Sequence, residues 1–314
     1  MNTTLAKKLR NQDPDLDVVC KWVESIDKKE WSKLFRKSYD QIYDGVNTGR
    51  YKWKDLCKTE KTHFGTIIEI NIQKTFAIDD GNLLDYLIKN IEVDCKFSQK
   101  MYSWMIPHEA YGQICLLCHA IDDGDINSNW SIGVMRTHES DLGDSRNQDK
   151  KGTLSKLSQD KVYWVYYQNE LPKNVLLCLP QEDQDAIFES IDIPRKGQFR
   201  INELFRKSLG RKIGRSVILT VGKQEDALKR VRGNGGARSH LRKENIIILS
   251  GKWESHKVIA KGLDLPDLEV YEFIAVRVIP CSPSTINCAK IGEYYWEVNL
   301  NKKSDKIAPI LPER

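Results

Sequence analysis

Asp85 and the run Ile91-Glu92-Val93-Asp94-Cys95-Lys96-Phe97 decide how this chain is read. The run is strand-like, and the order is one acid, a short gap, then a second acid and a lysine two residues apart. Alternate residues of a strand point the same way, which puts Asp94 and Lys96 on one face with Cα atoms roughly 6.6 Å apart. Val93, Cys95 and Phe97 then face the opposite side, toward a core. One residue of the pair can hold a divalent cation while the other faces the water or phosphate beside it. The same triplet also fits an edge strand with a polar face, so the rest of the chain has to discriminate.

A helix expected at 62–76 adds a fourth member. Ile67, Ile68, Ile70, Ile72 and Phe76 supply its buried side, and Glu69 stands inside that apolar stretch. Packed against the strands, such a helix brings Glu69 to the edge that carries Asp85 and Asp94. Its alternative is an ordinary glutamate on a helix surface. Phosphodiester hydrolysis needs a nucleophilic water near neutral pH and a counter-charge for the pentavalent transition state. One or two Mg²⁺ ions held by carboxylates supply both. Asp85 and Asp94 are the natural metal ligands, joined by the backbone carbonyl of Cys95. Lys96 orients or helps deprotonate the water and offsets negative charge. Glu69 binds a second metal or holds Lys96 in place.

With 314 residues the chain is long enough for two domains with separate cores. An apolar content of 40% and a charged content of 30% describe a soluble globular protein. No stretch approaches the roughly 18 apolar residues that span a bilayer, and residues 1–8 lack an apolar signal core. The eight cysteines are scattered over the chain, which fits a reducing cytoplasm better than a disulfide scaffold. Cys115 and Cys118 form a CxxC inside an apolar strand, with no second ligand pair for zinc, and are read as structural.

Charge is unevenly spread. Residues 1–170 carry 24 Lys+Arg and 26 Asp+Glu, whereas 171–314 carry 25 and 18. Within 195–243 there are 15 basic residues and only three acidic ones, Glu203, Glu225 and Asp226, a net of +12. A block of one sign attracts a polyanion and releases its counterions on binding, which points to nucleic acid.

The expected organisation is an N-terminal α/β domain over 1–166, a linker at 167–174 and an α+β domain over 175–314. The first has one or two helices over 15–43 and strands at 83–88, 91–97, 114–121 and 130–137, then a polar loop with weak helix over 139–160 and an apolar run at 162–167. The second has helices at 183–189, 201–209, 215–221 and 224–231, followed by strands at 246–249, 270–279 and 294–298. The helices at 201–209, 215–221 and 224–231 could form a helix-turn-helix whose last helix enters a major groove. Beyond them, glycines at 233, 235 and 236 let a backbone approach phosphates. The candidate DNA contacts are Lys229, Arg230, Arg232, Gly235, Gly236, Arg238 and Arg242, with Lys58 and Lys61 at the start of the Glu69 helix. His63, nearby, is read as structural. Ile42-Tyr43-Asp44-Gly45-Val46-Asn47 is similar to the K-x-D-G-x-R motif of nucleotidyl-transferring ligases. Ile42 stands where the lysine nucleophile belongs and Asn47 where the arginine does, which argues against covalent ligase chemistry.

Several of these stretches together resemble the NaeI family of type II restriction endonucleases. They are Tyr43-Asp44-Gly45 with Thr48-Gly49-Arg50-Tyr51, Lys58 to His63, Val93 to Ser98, Asn202 to Arg206, Val231-Arg232-Gly233, Gly235 to Ser239, and Ile246 to Leu249. The similarity runs from about residue 38 to 250. It implies a restriction-endonuclease-like core, a mixed sheet flanked by helices, and a C-terminal domain like the DNA-binding domain of the catabolite activator protein. It implies Mg²⁺, a homodimer, a GC-rich six-base palindrome and cleavage stimulated by a second DNA copy in the C-terminal cleft. It implies a cognate DNA methyltransferase in the same system but no stable complex with it. Carried over residue by residue, the catalytic set falls on Glu69, Asp85, Asp94 and Lys96. Two rival readings are a non-catalytic DNA-binding regulator and a repair nickase on the same fold.

Overall fold

The run at 114–121, apolar except for the buried His119, folds as a central strand covered on both faces, which is why it lacks alternation. The computed structural model describes residues 2–124, 128–147, 149–189, 196–301 and 304–313. In chain order its helices are α1 (Thr4–Gln12), α2 (Pro14–Ser25), α3 (Lys28–Tyr43), α4 (Gly45–Thr48), α5 (Lys58–Phe76), α6 (Gln181–Phe188), α7 (Lys196–Lys207), α8 (Arg215–Gly222), α9 (Ala237–Leu241) and α10 (Glu254–Gly262). Strands β1 (Asp79–Asp80), β2 (Tyr86–Ile88), β3 (Ile91–Ser98), β4 (Ile114–Ile121) and β5 (Asn129–Arg136) come first. They are followed by β6 (Leu142–Arg146), β7 (Gly152–Leu154), β8 (Tyr163–Glu170), β9 (Lys212–Ile213), β10 (Ile246–Ser250), β11 (Phe273–Cys281), β12 (Cys288–Ile291) and β13 (Tyr294–Val298).

Two units divide the chain. The first is Met1–Ile42 with Trp53–Lys173; the second is Tyr43–Lys52 with Asn174–Arg314. The segment 43–52 therefore belongs with the C-terminal half, whereas chain order alone assigns it to the N-terminal region. The linker expected at 167–174 begins inside β8.

In the first unit a six-stranded mixed sheet runs in the order β1-β2-β3-β4-β5-β8, with β3 and β4 parallel and the other pairs antiparallel. β3 is thus an interior strand and not a polar edge. One face of the sheet meets helices: Phe64 of α5 packs edge-on against Phe97 at 5.0 Å, and Phe35 of α3 stacks on Trp130 at 5.4 Å. Trp104, Ile106, Cys115, Leu117, Met135 and Trp164 form a separate cluster. Leu142 and Leu154 join that cluster, so the expected loop at 139–160 is in part the hairpin β6–β7. Asp141, buried, anchors it further through the Ser158 hydroxyl and the Lys161 ammonium.

The second unit is built on β11. Its first half pairs with β10 and β9, and its second half with β13, which pairs in turn with β12. Alternation along β10 sends Ile246 and Ile248 to a helical core with Ile201, Leu204, Phe205, Ile218 and Val221. Ile247 and Leu249 go to another core with Ile259, Leu263, Val276 and Trp296. One expected helix is not there. Residues 224–231 contain only a 3₁₀ turn, Ala227–Val231, and α-helix resumes briefly at α9. Lys223, left-handed at φ 51°, closes α8, and Gly233, Gly235 and Gly236 deny the next stretch helical propensity. Among the described residues, no helix is long and apolar enough to cross a membrane.

Candidate active site

β3 supplies the first two groups. Asp94 lies opposite Cys115 and Lys96 opposite Leu117 in the parallel register with β4. Asp94 is buried, and the Lys96 ammonium bonds its Oδ1 at 2.7 Å and the Cys95 carbonyl at 2.9 Å. Asp85 precedes β2, and its Oδ2 accepts the Cys95 N–H at 2.7 Å while standing 3.5 Å from Lys96 Nζ. One ammonium therefore sits between two carboxylates. From α5, Glu69 approaches the same cluster; its backbone carbonyl accepts the Tyr86 phenol at 2.8 Å. The helix that carries it starts four residues earlier than hydrophobic spacing predicts, because Glu60 caps the Cys57 N–H at 2.8 Å.

The four groups are electrostatically coupled. Burial pushes the Glu69 carboxyl up to about 7, helped by the charges of Asp85 and Asp94 and opposed by Lys96. Burial likewise raises Asp94 to about 6, outweighing the pull of the Lys96 ammonium. Burial works against the charge on Lys96 itself, but Asp94 and Asp85 prevail and hold its pKa above the ordinary lysine value. The cluster is therefore short of positive charge: three carboxylates face one lysine. Its donors are hard oxygens, the class that Mg²⁺ takes. That shortage and donor chemistry fit a divalent cation, although no group of three His, Cys, Asp or Glu side chains among the described residues is arranged as a ready-made metal cage.

The family model for restriction endonuclease NaeI matches residues 4–309. The chain belongs to the NaeI family of restriction endonucleases. It is 38% identical over 99% of both chains to the type II restriction enzyme NaeI of Lentzea aerocolonigenes.

Neighbours that sequence patterns do not single out complete the site of this NaeI-family chain. The buried Cys115 thiol lies 3.8 Å from Asp94 Oδ2 and 3.4 Å from the Thr137 hydroxyl, which itself donates to the Ala110 carbonyl. Cys118, three residues on and hence on the other face of β4, lies beside Cys95, so the CxxC is no chelate. Glu92 is the larger omission. It shares the period-two row of Asp94 and Lys96, and that alternation was the available signal. Backbone hydrogen bonds hold its carboxyl below the usual range.

The candidate DNA contacts fall into two groups. Lys58, Lys229, Arg232 and Gly235 are exposed, Lys61 and Arg230 partly so, and Arg195 of the basic block lies outside the described residues. Arg230 donates to Gln224 at 2.8 Å. Arg238 and Arg242 instead turn inward. Arg238 donates to the Ile248 carbonyl and pairs with Glu313, both at 3.0 Å, and Arg242 donates to the Ala308 carbonyl at 2.8 Å. Gly236 is buried, and a Cβ there would stand 2.6 Å from the Arg232 carbonyl and 2.7 Å from that of Arg230. Its bareness serves the loop's own close packing.

Proposed function

We propose that the protein is a Mg²⁺-dependent type II restriction endonuclease that cuts both strands of double-stranded DNA at a specific site. Glu69, Asp85, Asp94 and Lys96 form the cutting site in the first unit, and the second unit binds DNA. The observation that carries this reading is the Lys96 ammonium lying 2.7 Å from Asp94 and 3.5 Å from Asp85, beside the Cys95 carbonyl. A structural ion pair needs one acid; a second acid and a half-buried third one add negative charge that a bound cation would balance.

Asp85, Asp94, Glu69 and the Cys95 carbonyl would hold the cation. When bound, Mg²⁺ polarises a phosphoryl oxygen and lowers the pKa of water. Lys96, kept protonated by its neighbours, acts through charge and hydrogen bonding: it orients the water and stabilises the negative charge that develops on the phosphorane. In-line attack by that water on phosphorus would break the P–O3′ bond, the water's proton passing through solvent to the departing oxygen, and leave a 5′-phosphate and a 3′-hydroxyl. In the second unit, the surface cations Lys229, Arg230 and Arg232 suit binding to phosphates. Family membership supports a homodimer in the cytoplasm, a GC-rich palindromic target, a second DNA copy that stimulates cleavage, a second unit resembling the DNA-binding domain of the catabolite activator protein, and a cognate methyltransferase in the same system.

Plasmid cleavage in Mg²⁺ tests the reading. Lys96→Ala should abolish cutting while DNA binding in Ca²⁺ persists, and the parent should give linear fragments with uniform 5′-phosphate ends. A Lys96→Ala protein that cuts at the parent rate would overturn it.

A further inference from the structure

Asp85 is not part of a strand or helix, so something else must hold it in front of Cys95. The residues before it, Gly81 to Leu84, wrap around one side chain. Glu92 Oε1 accepts the Asn82 N–H at 2.7 Å and its side-chain amide at 3.1 Å; Oε2 accepts the Leu84 N–H at 3.0 Å and the Leu83 N–H at 3.3 Å. Three successive backbone N–H groups converging on one anion form a nest. Gly81 closes it: a Cβ there would stand 2.3 Å from the Leu84 carbonyl and 2.6 Å from Glu92 Oε2. The next residue is Asp85, whose Oδ2 lies 2.7 Å from the Cys95 nitrogen.

We infer that Glu92 is a positioning residue for the proposed cutting site, a carboxylate that shapes the 81–84 turn so that Asp85 is presented to the cation. Glu92 binds no metal itself, because its oxygens are already taken by amides. The inference rests on the proposed role of Asp85, and it separates two carboxylates of the same short stretch by what they hold: Asp94 faces the cation and Glu92 faces its own chain. Glu92→Gln is the discriminating variant. Glutamine has the same size, but in either orientation of its amide the Nε2 meets donors, the Leu83 and Leu84 N–H groups or the Asn82 N–H, so the full nest cannot form.

The test uses the full-length protein and three readouts. In metal-free protein, amide hydrogen exchange at Asn82, Leu83 and Leu84 should quicken in Glu92→Gln and in Glu92→Ala. Calorimetric affinity for Mn²⁺ without DNA should fall by roughly 10–100-fold, the usual range for loss of a group that orients a metal ligand. The Mg²⁺ concentration for half-maximal cleavage should rise by a similar factor, with the rate at saturating Mg²⁺ close to that of the parent. Gly81→Ala should reproduce the exchange and affinity changes. If Glu92→Gln keeps parent-like exchange and parent-like Mn²⁺ affinity, Glu92 merely fills space and the inference is wrong. Asp85→Ala runs alongside: if that variant still cuts normally, the site assignment fails, whereas the exchange of residues 82–84 reports on the nest by itself.

Discussion

Replacing Lys96 with methionine removes the ammonium and keeps most of its length, and the consequence should depend on pH. Asp94 is 4% exposed and Lys96 21%. Breaking a buried ion pair by deleting one partner costs about 3–5 kcal/mol when the remaining charge stays ionised. Here protonation limits the loss, because Asp94 is already pushed up to about 6 by burial, against the pull of Lys96. Without that pull it climbs further, and Glu69, raised to about 7 by burial and neighbouring acids, follows in the same direction. A carboxyl whose folded pKa exceeds its unfolded value contributes its full stability below the unfolded pKa. That contribution drains as pH rises to the folded value, at about 1.4 kcal/mol per pH unit and proton.

In the parent the drain from Asp94 ends near pH 6; in Lys96→Met it should continue toward about pH 8. Over that interval of about two units the variant should therefore lose about 2–3 kcal/mol more than the parent. For a domain of this size that is roughly 5–10 °C in melting temperature. Melts of both proteins in EDTA at about pH 6 and about pH 8 measure it, followed by the same melts with excess Mg²⁺ and no DNA. The gap should be small at the lower pH, wide at the higher and narrowed by the cation, which takes over the missing positive charge. A gap that stays constant with pH, or no gap at the higher pH, would refute the claim that Lys96 stabilises buried carboxylate charge.

Two further outcomes follow from other parts of the chain. Gly45→Ala puts a methyl 2.0 Å from the Thr220 hydroxyl oxygen, so it should destabilise the second unit by about 1–3 kcal/mol, and Thr220→Ala should relieve part of that in a double-mutant cycle by urea denaturation. Substituting Lys229 and Arg232 by alanine should weaken DNA binding for all sequences alike and reduce the slope of log K against log salt by about 0.9 for each phosphate no longer neutralised; an unchanged slope would remove them from the interface.

How legible all this was in sequence depended on whether the deciding interaction is local. The strand at 114–121 is announced by the apolar run 114–118 within it, and β3 by alternation, so the sheet around the site was readable. The C-terminal helix α7 was also visible, because Ile201, Leu204 and Phe205 recur at helical spacing and are buried. The stretch 224–231 misleads for the opposite reason: its apolar residues Ala227, Leu228 and Val231 fit a helix, but they pack as a 3₁₀ turn held between a left-handed lysine and three glycines. α10 escapes notice because His256, Ile259 and Ala260 make a thin apolar stripe. The placement of 43–52 in the second unit depends on Gly45 meeting Thr220 far along the chain, which no local pattern can reveal. At the site the residue types were legible, since Glu69, Asp85, Asp94 and Lys96 do come together. What held them was not.

The departure of 83–85 from the expected strand explains why the site exists at all. β2 pairs with β3 only from Tyr86 opposite Val93 to Ile88 opposite Ile91. Continuing that register would set Leu84 opposite Cys95, and a ladder there would take up the N–H and carbonyl of Cys95. The chain forms no such ladder, because the Leu84 N–H is captured by Glu92 at 3.0 Å. Cys95 then turns its N–H to Asp85 and its carbonyl to Lys96. A strand cut short by one carboxylate thus leaves a backbone carbonyl and two acids around the Lys96 ammonium. Restoring the ladder, by removing Glu92 and giving 83–85 strand-forming residues, should therefore remove cation binding, read by Mn²⁺ calorimetry, even with Asp94 and Lys96 intact.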